Sequence, residues 1–147
     1  MNGVSFNFTV PGDDFTRAGE ASSAIKNKLK SMGIPPAVVR NVAIAVYEGE
    51  INMVIHAPGN GRPGGGIITI TVEPEAITMV LEDKGRGIED VDKAMQEGYT
   101  TAADEVRALG FGAGMGLPNM KNYSDEFAIT STVGVGTTVT MKIYLNK

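Results

Sequence analysis

Apolar positions along the chain follow two different rhythms, and their order predicts the elements. Val4 to Val10 (VSFNFTV) alternates apolar and polar residues, the period of a half-buried strand, until PGDD at residues 11–14 breaks it. From there the spacing predicts a helix running to about Met32, with Asp13 or Asp14 as its cap and Gly33 and Ile34-Pro35 as its stop. Pro36 suits the first turn of a second helix, PAVVRNVAIAVYEGEINMVIHA, which ends at the glycine-rich PGNGRPGGG of residues 58–66. Alternation returns in IITITVE and AITMVLED, on either side of Pro74-Glu75, read as a tight turn between antiparallel neighbours. A glycine-rich stretch with a short helical pattern at each end follows. FAITSTV, a turn at Gly134-Val135-Gly136 and TTVTMKIYL then predict a closing hairpin.

No repeat or linker divides this pattern, so residues 1–147 are expected to form one domain. Helices segregated from a run of strands predict an α+β fold: a two-layer sandwich with a mixed, mostly antiparallel sheet and the helices on one face. A doubly wound parallel sheet needs strict strand–helix alternation, which this order lacks.

The second helix raises a chemical question. At about 100° per residue, Val39, Val42, Ala45, Val46, Gly49 and Met53 form a broad apolar face, and Ile44, Ile51 and Ile55 a second stripe. Asn41, Glu48 and Asn52 fall in the narrow gap between the two, whereas Glu50 lies well round the helix, toward its more polar side. Glu48 and Asn52, at i and i+4, are neighbours bordered by aliphatic residues. A carboxylate buried there costs several kcal/mol unless partnered. The wheel alone admits two readings, a helix edge where Glu48 reaches water or a placed functional pair.

Composition narrows the chemistry. The formal charge, 13 basic against 17 acidic residues, is −4 and gives no electrostatic reason to expect nucleic acid as a partner. With no cysteine, disulfides, thiolate metal sites and a cysteine nucleophile are excluded. His56 is the only histidine, which rules out a multi-histidine metal site and argues against a Ser-His-Asp triad. The N-terminus has no basic segment followed by an apolar run, and VAIAVY is far too short to span a bilayer. A cytoplasmic protein with no membrane contact is therefore expected.

Two glycine clusters carry the remaining signals. LEDKGRGIED ends a strand on Asp83 and sets Gly85 and Gly87 directly after it, where close approach of a ligand to the backbone becomes possible. GFGAGMGLPNM places Gly110, Gly112, Gly114 and Gly116 at alternate positions before turning helical, so successive N–H groups can face an anion. No Lys-Ser/Thr follows as in a Walker loop, and no βαβ unit surrounds it as in the dinucleotide fingerprint. PGNGRPGGG, with no helix behind it, reads as a mobile connection. Met79, Met95, Met115, Met120 and Met141 read as core fillers.

Taken in order, E-x-x-x-N on a helix ending IHA, a strand ending D-x-G-x-G-I, G-x-G-x-G-L entering a helix, and G-x-G-T before the last strand resemble the GHKL ATPase superfamily. The chain is most similar to the bacterial anti-sigma factor serine kinases and the related stress-switch kinases. EGYTTAADEVRALGFGAGMGLPNMKNYSDEFAI is similar to their lid and following helix, and VGVGTTVTMKIYL to their closing hairpin. The resemblance covers nearly the whole chain and is weakest over the first thirty or so residues.

The resemblance implies ATP and Mg2+ as cofactors, with Asn52 as the magnesium ligand and Glu48 as the general base. It implies that Asp83 receives the adenine amino group, with Gly85, Gly87 and Ile88 close to the base. Gly112, Gly114, Met115, Gly116 and Leu117 belong to the lid around the phosphates, and Thr137 lies near adenine. Arg107 is placed in the lid by position and charge alone. EGEIN departs from the usual pattern: Gly49 costs about 1 kcal/mol of helix propensity against alanine, and Glu50 stands as a rival base.

The function so implied is a protein serine kinase that phosphorylates a small STAS-type (anti-anti-sigma) antagonist in a partner-switching circuit. Its implied partners include a sigma factor and a second copy of the chain in a homodimer. The alternative is a non-catalytic, nucleotide-gated module that binds a sigma factor or a phosphatase regulator. A detached histidine-kinase ATP domain fits less well, because His56 sits inside the nucleotide-site helix.

Overall fold

A computed structural model describes residues 3–11, 19–56, 65–83, 116–132 and 136–145. Strand β1 spans Val4–Pro11, helices α1 and α2 span Glu20–Ser31 and Pro36–His56, and β2 and β3 span Gly65–Val72 and Ala76–Asp83. Helix α3 spans Gly116–Asn122, followed by β4 (Glu126–Thr132) and β5 (Gly136–Tyr144). The five strands form one sheet in the order β1-β2-β3-β5-β4. All four described pairings are antiparallel, in keeping with the mostly antiparallel sheet expected.

The period-two alternation sorts the sheet into two faces. Ile68, Ile70 and Val72 of β2, Ile77, Met79 and Leu81 of β3, and Val139, Met141 and Ile143 of β5 are all buried on one face. On the other face β2 and β3 present Ile67, Thr69, Thr71, Thr78, Val80 and Glu82, none of them buried. The helices cover the apolar face through Ile25 and Leu29 of α1, Val39, Val42, Ala45, Val46 and Met53 of α2, and Met120 of α3, forming one core. Burial of these side chains is the main force holding the two layers together. Pro74 and Glu75 join β2 to β3 as expected, with Glu73 N–H donating to the Ala76 carbonyl at 2.9 Å. No helix among the described residues is long and apolar enough to cross a membrane.

Two expectations are corrected. Helix α1 begins at Glu20 with Gly19 as its N-cap residue, several residues beyond Asp13 and Asp14, which lie outside the described residues. Gly65 and Gly66, expected in a mobile connection, instead begin β2, with Gly65 opposite Pro11 and Gly66 opposite Val10 and Asp83. A Cβ at Gly66 would run into the Glu82 carbonyl oxygen and stand 3.1 Å from the Asp83 Cα. Only glycine lets the two strands meet this closely beside Asp83.

Candidate functional site

Three consecutive residues of α2 are aimed at three different neighbours. Glu48 is half-buried and receives a hydrogen bond from the side chain of Asn119 on α3. Burial pushes its carboxyl above the ordinary glutamate value of 4.5, and the Asn119 bond, which favours the charged form, pulls back part of that rise. Gly49 is buried against the sheet and α3. A Cβ there would overlap Leu81 Cδ2 and lie 3.3 Å from Met120 Sδ, so its helix-propensity cost is offset by close packing.

Glu50 corrects the wheel. It is 1% exposed and turned away from water onto the N-terminus of α1. Its Oε2 accepts the N–H groups of Gly19 at 3.1 Å and Ala21 at 3.0 Å, and its Oε1 accepts the N–H of Ser22 at 3.0 Å. These are donors that a helix cannot satisfy within itself, and the positive end of α1 favours the carboxylate. The cap expected from a local aspartate thus comes from a residue 31 positions after Gly19. With its lone pairs committed to backbone donors, Glu50 is withdrawn as a rival base. The wheel missed this because angular position around a helix says nothing about which neighbour waits there.

The far side of the site is built by the sheet. Asp83 closes β3 on the helix-covered face, in register with Thr137 of β5, and its Oδ1 accepts the Thr137 N–H at 3.2 Å. Thr137 is 9% exposed, and its hydroxyl lies 2.8 Å from Ser131 Oγ on β4. Ser131, absent from the sequence-based site, also donates to the Gly136 carbonyl at 3.3 Å. The register Ser131↔Thr137↔Asp83↔Gly66 runs in one row across four strands. Gly49 packs on Leu81, two residues before Asp83 on the same face, so the Glu48 turn of α2 lies over this end of the sheet.

Gly116 and Leu117 open α3, which carries the buried Pro118 and Met120 on either side of Asn119. Asn52 lies within α2 one turn after Glu48, and its side chain falls outside the described residues, as does that of Leu117. Gly85, Gly87, Ile88, Arg107, Gly112, Gly114 and Met115 also lie outside them. Asn119 went unnoticed in the sequence, although its place three residues after the last lid glycine was a usable signal. Among the described residues no cluster of three acidic or histidine side chains is arranged to hold a metal by itself.

The architecture and the motifs agree with what is known of similar proteins. Residues 13–143 match the histidine kinase-like ATPase domain. The chain is 40% identical over 111 residues to an anti-sigma F factor of Caldanaerobacter subterraneus subsp. tengcongensis, covering 74% of this chain and 72% of that protein. It is 39% identical over 109 residues to the anti-sigma F factor of Thermoanaerobacter pseudethanolicus, covering 73% of this chain and 71% of the relative. The anti-sigma F factor of Clostridium acetobutylicum is 35% identical over 106 residues, 71% of this chain and 68% of that one.

Among solved structures, the RsbU and RsbW domains of a Mycobacterium tuberculosis protein superpose with a TM-score of 0.60 at 14% identity. The match takes in 95% of this chain and 32% of the other, a likeness of fold alone. The ATPase domain makes ATP the nucleotide of this fold. The chain belongs to the histidine kinase-like ATPase family, in the branch that contains the anti-sigma F factors.

Proposed function

We propose that this chain is an ATP- and magnesium-dependent protein serine kinase of the anti-sigma factor type. It works in the cytoplasm as a single ATP-binding domain and phosphorylates a STAS-domain antagonist. In its unopposed state it holds a sigma factor inactive, with a homodimer as its working form. The observation that carries the reading is the state of Glu48: a half-buried carboxylate, partnered among the described residues by the neutral Asn119, its pKa raised by burial, one turn before Asn52 on α2. A carboxylate so placed has the raised proton affinity that accepting a proton from an incoming serine hydroxyl requires.

The remaining roles follow. Asp83, held in place beside Thr137, takes the adenine amino group, and Thr137 and Gly66 shape the floor beneath the base. Gly85, Gly87 and Ile88 pass close to adenine, and Gly112, Gly114, Met115, Gly116 and Leu117 line the phosphates. Asn52 would supply one side-chain oxygen to magnesium, a donor type that suits a hard ion. Magnesium, when bound, neutralises charge on the phosphates. Positioning and charge neutralisation are the main sources of rate in phosphoryl transfer.

The test is incubation with labelled ATP and a STAS-domain acceptor. The reading requires label on an acceptor serine, lost in Glu48→Ala. Absence of transfer, or undiminished transfer by Glu48→Ala, would overturn it. Loss of magnesium-dependent ATP binding in Asn52→Ala tests the metal ligand separately.

A further inference from the structure

Beyond the residues that meet nucleotide, α2 and α3 share a polar contact among the described residues, between Asn119 and Glu48. We infer that Asn119 is a positioning residue for Glu48, its side-chain amide donating to the carboxylate and fixing the direction in which the remaining lone pairs face. The inference rests on the reading of Glu48 as base. It adds a residue that has no place in the E-x-x-x-N, D-x-G-x-G or glycine signatures.

The packing shows why the contact is well defined. Pro118 and Met120, on either side of Asn119, are both buried, so α3 cannot turn about its axis without exposing one of them. The absent side chain of Gly49 lets α3 approach α2 closely, with Met120 Sδ 3.3 Å from where a Cβ would stand. Asn119 is therefore held against the very turn of α2 that carries Glu48.

The chemistry of the donor fits the task. A lysine or arginine at position 119 would also orient the carboxylate, but its charge would strip the base of proton affinity. An amide donates without a charge, so it restrains the carboxylate and spares most of its basicity. Among the described residues, burial first and the Asn119 bond second set the balance at Glu48. Lys121 of α3, Glu82 of β3, Arg40 of α2, and Glu20, Lys26, Lys28 and Lys30 of α1 are exposed. Glu50 is committed to α1, and Asp83 accepts from Thr137.

Two measurements test the proposal. The first uses radiolabelled ATP with a STAS-domain acceptor. Asn119→Leu, of similar size but unable to donate, should lower kcat by about tenfold to a hundredfold, the range of a hydrogen bond to a charged group. ATP affinity should stay within about twofold in that variant, and Asn119→Gln, which restores the amide, should recover part of the rate. The second needs neither nucleotide nor acceptor: the side-chain amide resonances of Asn119 in a 15N-labelled sample should move in Glu48→Ala.

Wild-type kcat in Asn119→Leu beside a defective Glu48→Gln would overturn this inference and leave the base standing. Undiminished transfer in Glu48→Gln would overturn both. Unmoved Asn119 amide resonances in Glu48→Ala would overturn the contact itself, even if Asn119→Leu failed to fold.

Discussion

Glu48 and Glu50 are the same residue type, two positions apart on one helix, and their surroundings could hardly differ more. Glu50 is 1% exposed and takes three backbone N–H groups at 3.0 to 3.1 Å. Glu48 is half-buried, its partner among the described residues is the neutral Asn119 side chain, and burial drives its pKa upward. The difference teaches how to sort buried acids. A carboxylate whose lone pairs are taken by helix-terminal donors is part of the scaffold, because charge and donors satisfy each other. A carboxylate desolvated without enough partners is being held ready for something else.

The strongest way to break the comparison is to remove Glu50. Glu50→Ala orphans three backbone donors beside the core and should cost about 3 to 5 kcal/mol, a large share of a typical domain's stability. Urea denaturation would show it, and a near-wild-type midpoint would mean that Glu50 is not structural. Glu48 should answer in the opposite currency. Glu48→Gln should fold normally and lose about a hundredfold or more in phosphotransfer, roughly the contribution of a positioned general base.

Gly49→Ala, between the two acids, should destabilise by about 2 kcal/mol despite alanine's better helix propensity, because its Cβ would overlap Leu81. A gain in thermal midpoint would show that the α2–sheet contact is looser than described. At the sheet end, Asp83→Asn keeps an oxygen for the Thr137 N–H, so it should fold well. Its ATP affinity should fall about tenfold or more, measured by calorimetry, since a neutral amide is the weaker acceptor.

The smallest effect sharpens the contrast through pH. The folded pKa of Glu48 lies above the unfolded one, so the native state binds the proton more tightly. The stability this provides is complete below the ordinary value of 4.5 and is lost as pH rises through the raised folded value. Glu48→Gln, which never ionises, should therefore be slightly more stable than wild type at neutral pH, with the advantage shrinking toward acid. Thermal melts at the two pH values would reveal a variant that trades activity for stability, and an advantage that grew toward acid would contradict the assignment.

Much of the fold was legible because burial imposes a period. Val39, Val42, Ala45, Val46, Gly49 and Met53 were grouped by the wheel and are all buried. The same holds for the alternate residues of β3 and β5, and for Met79, Met120 and Met141 among the expected core fillers. The pairing of Asp83 with Thr137 was also within reach, since one closes and the other opens a strand pattern at a glycine motif. Gly66 was misjudged because a glycine run reads as a loop until a neighbouring backbone is seen pressing on it.

What the sequence determined by itself was the list of elements, the inward face of each, and the motifs that tie the chain to its family. Those follow from local geometry, in which a side chain's direction depends only on its own helix or strand. Tertiary structure alone decided that Glu50 caps α1, that Asn119 reaches Glu48, and that Gly66 lies beside Asp83. Each is a contact between residues at least 17 positions apart, where the partner is set by how layers pack, and packing leaves no period in the chain to read.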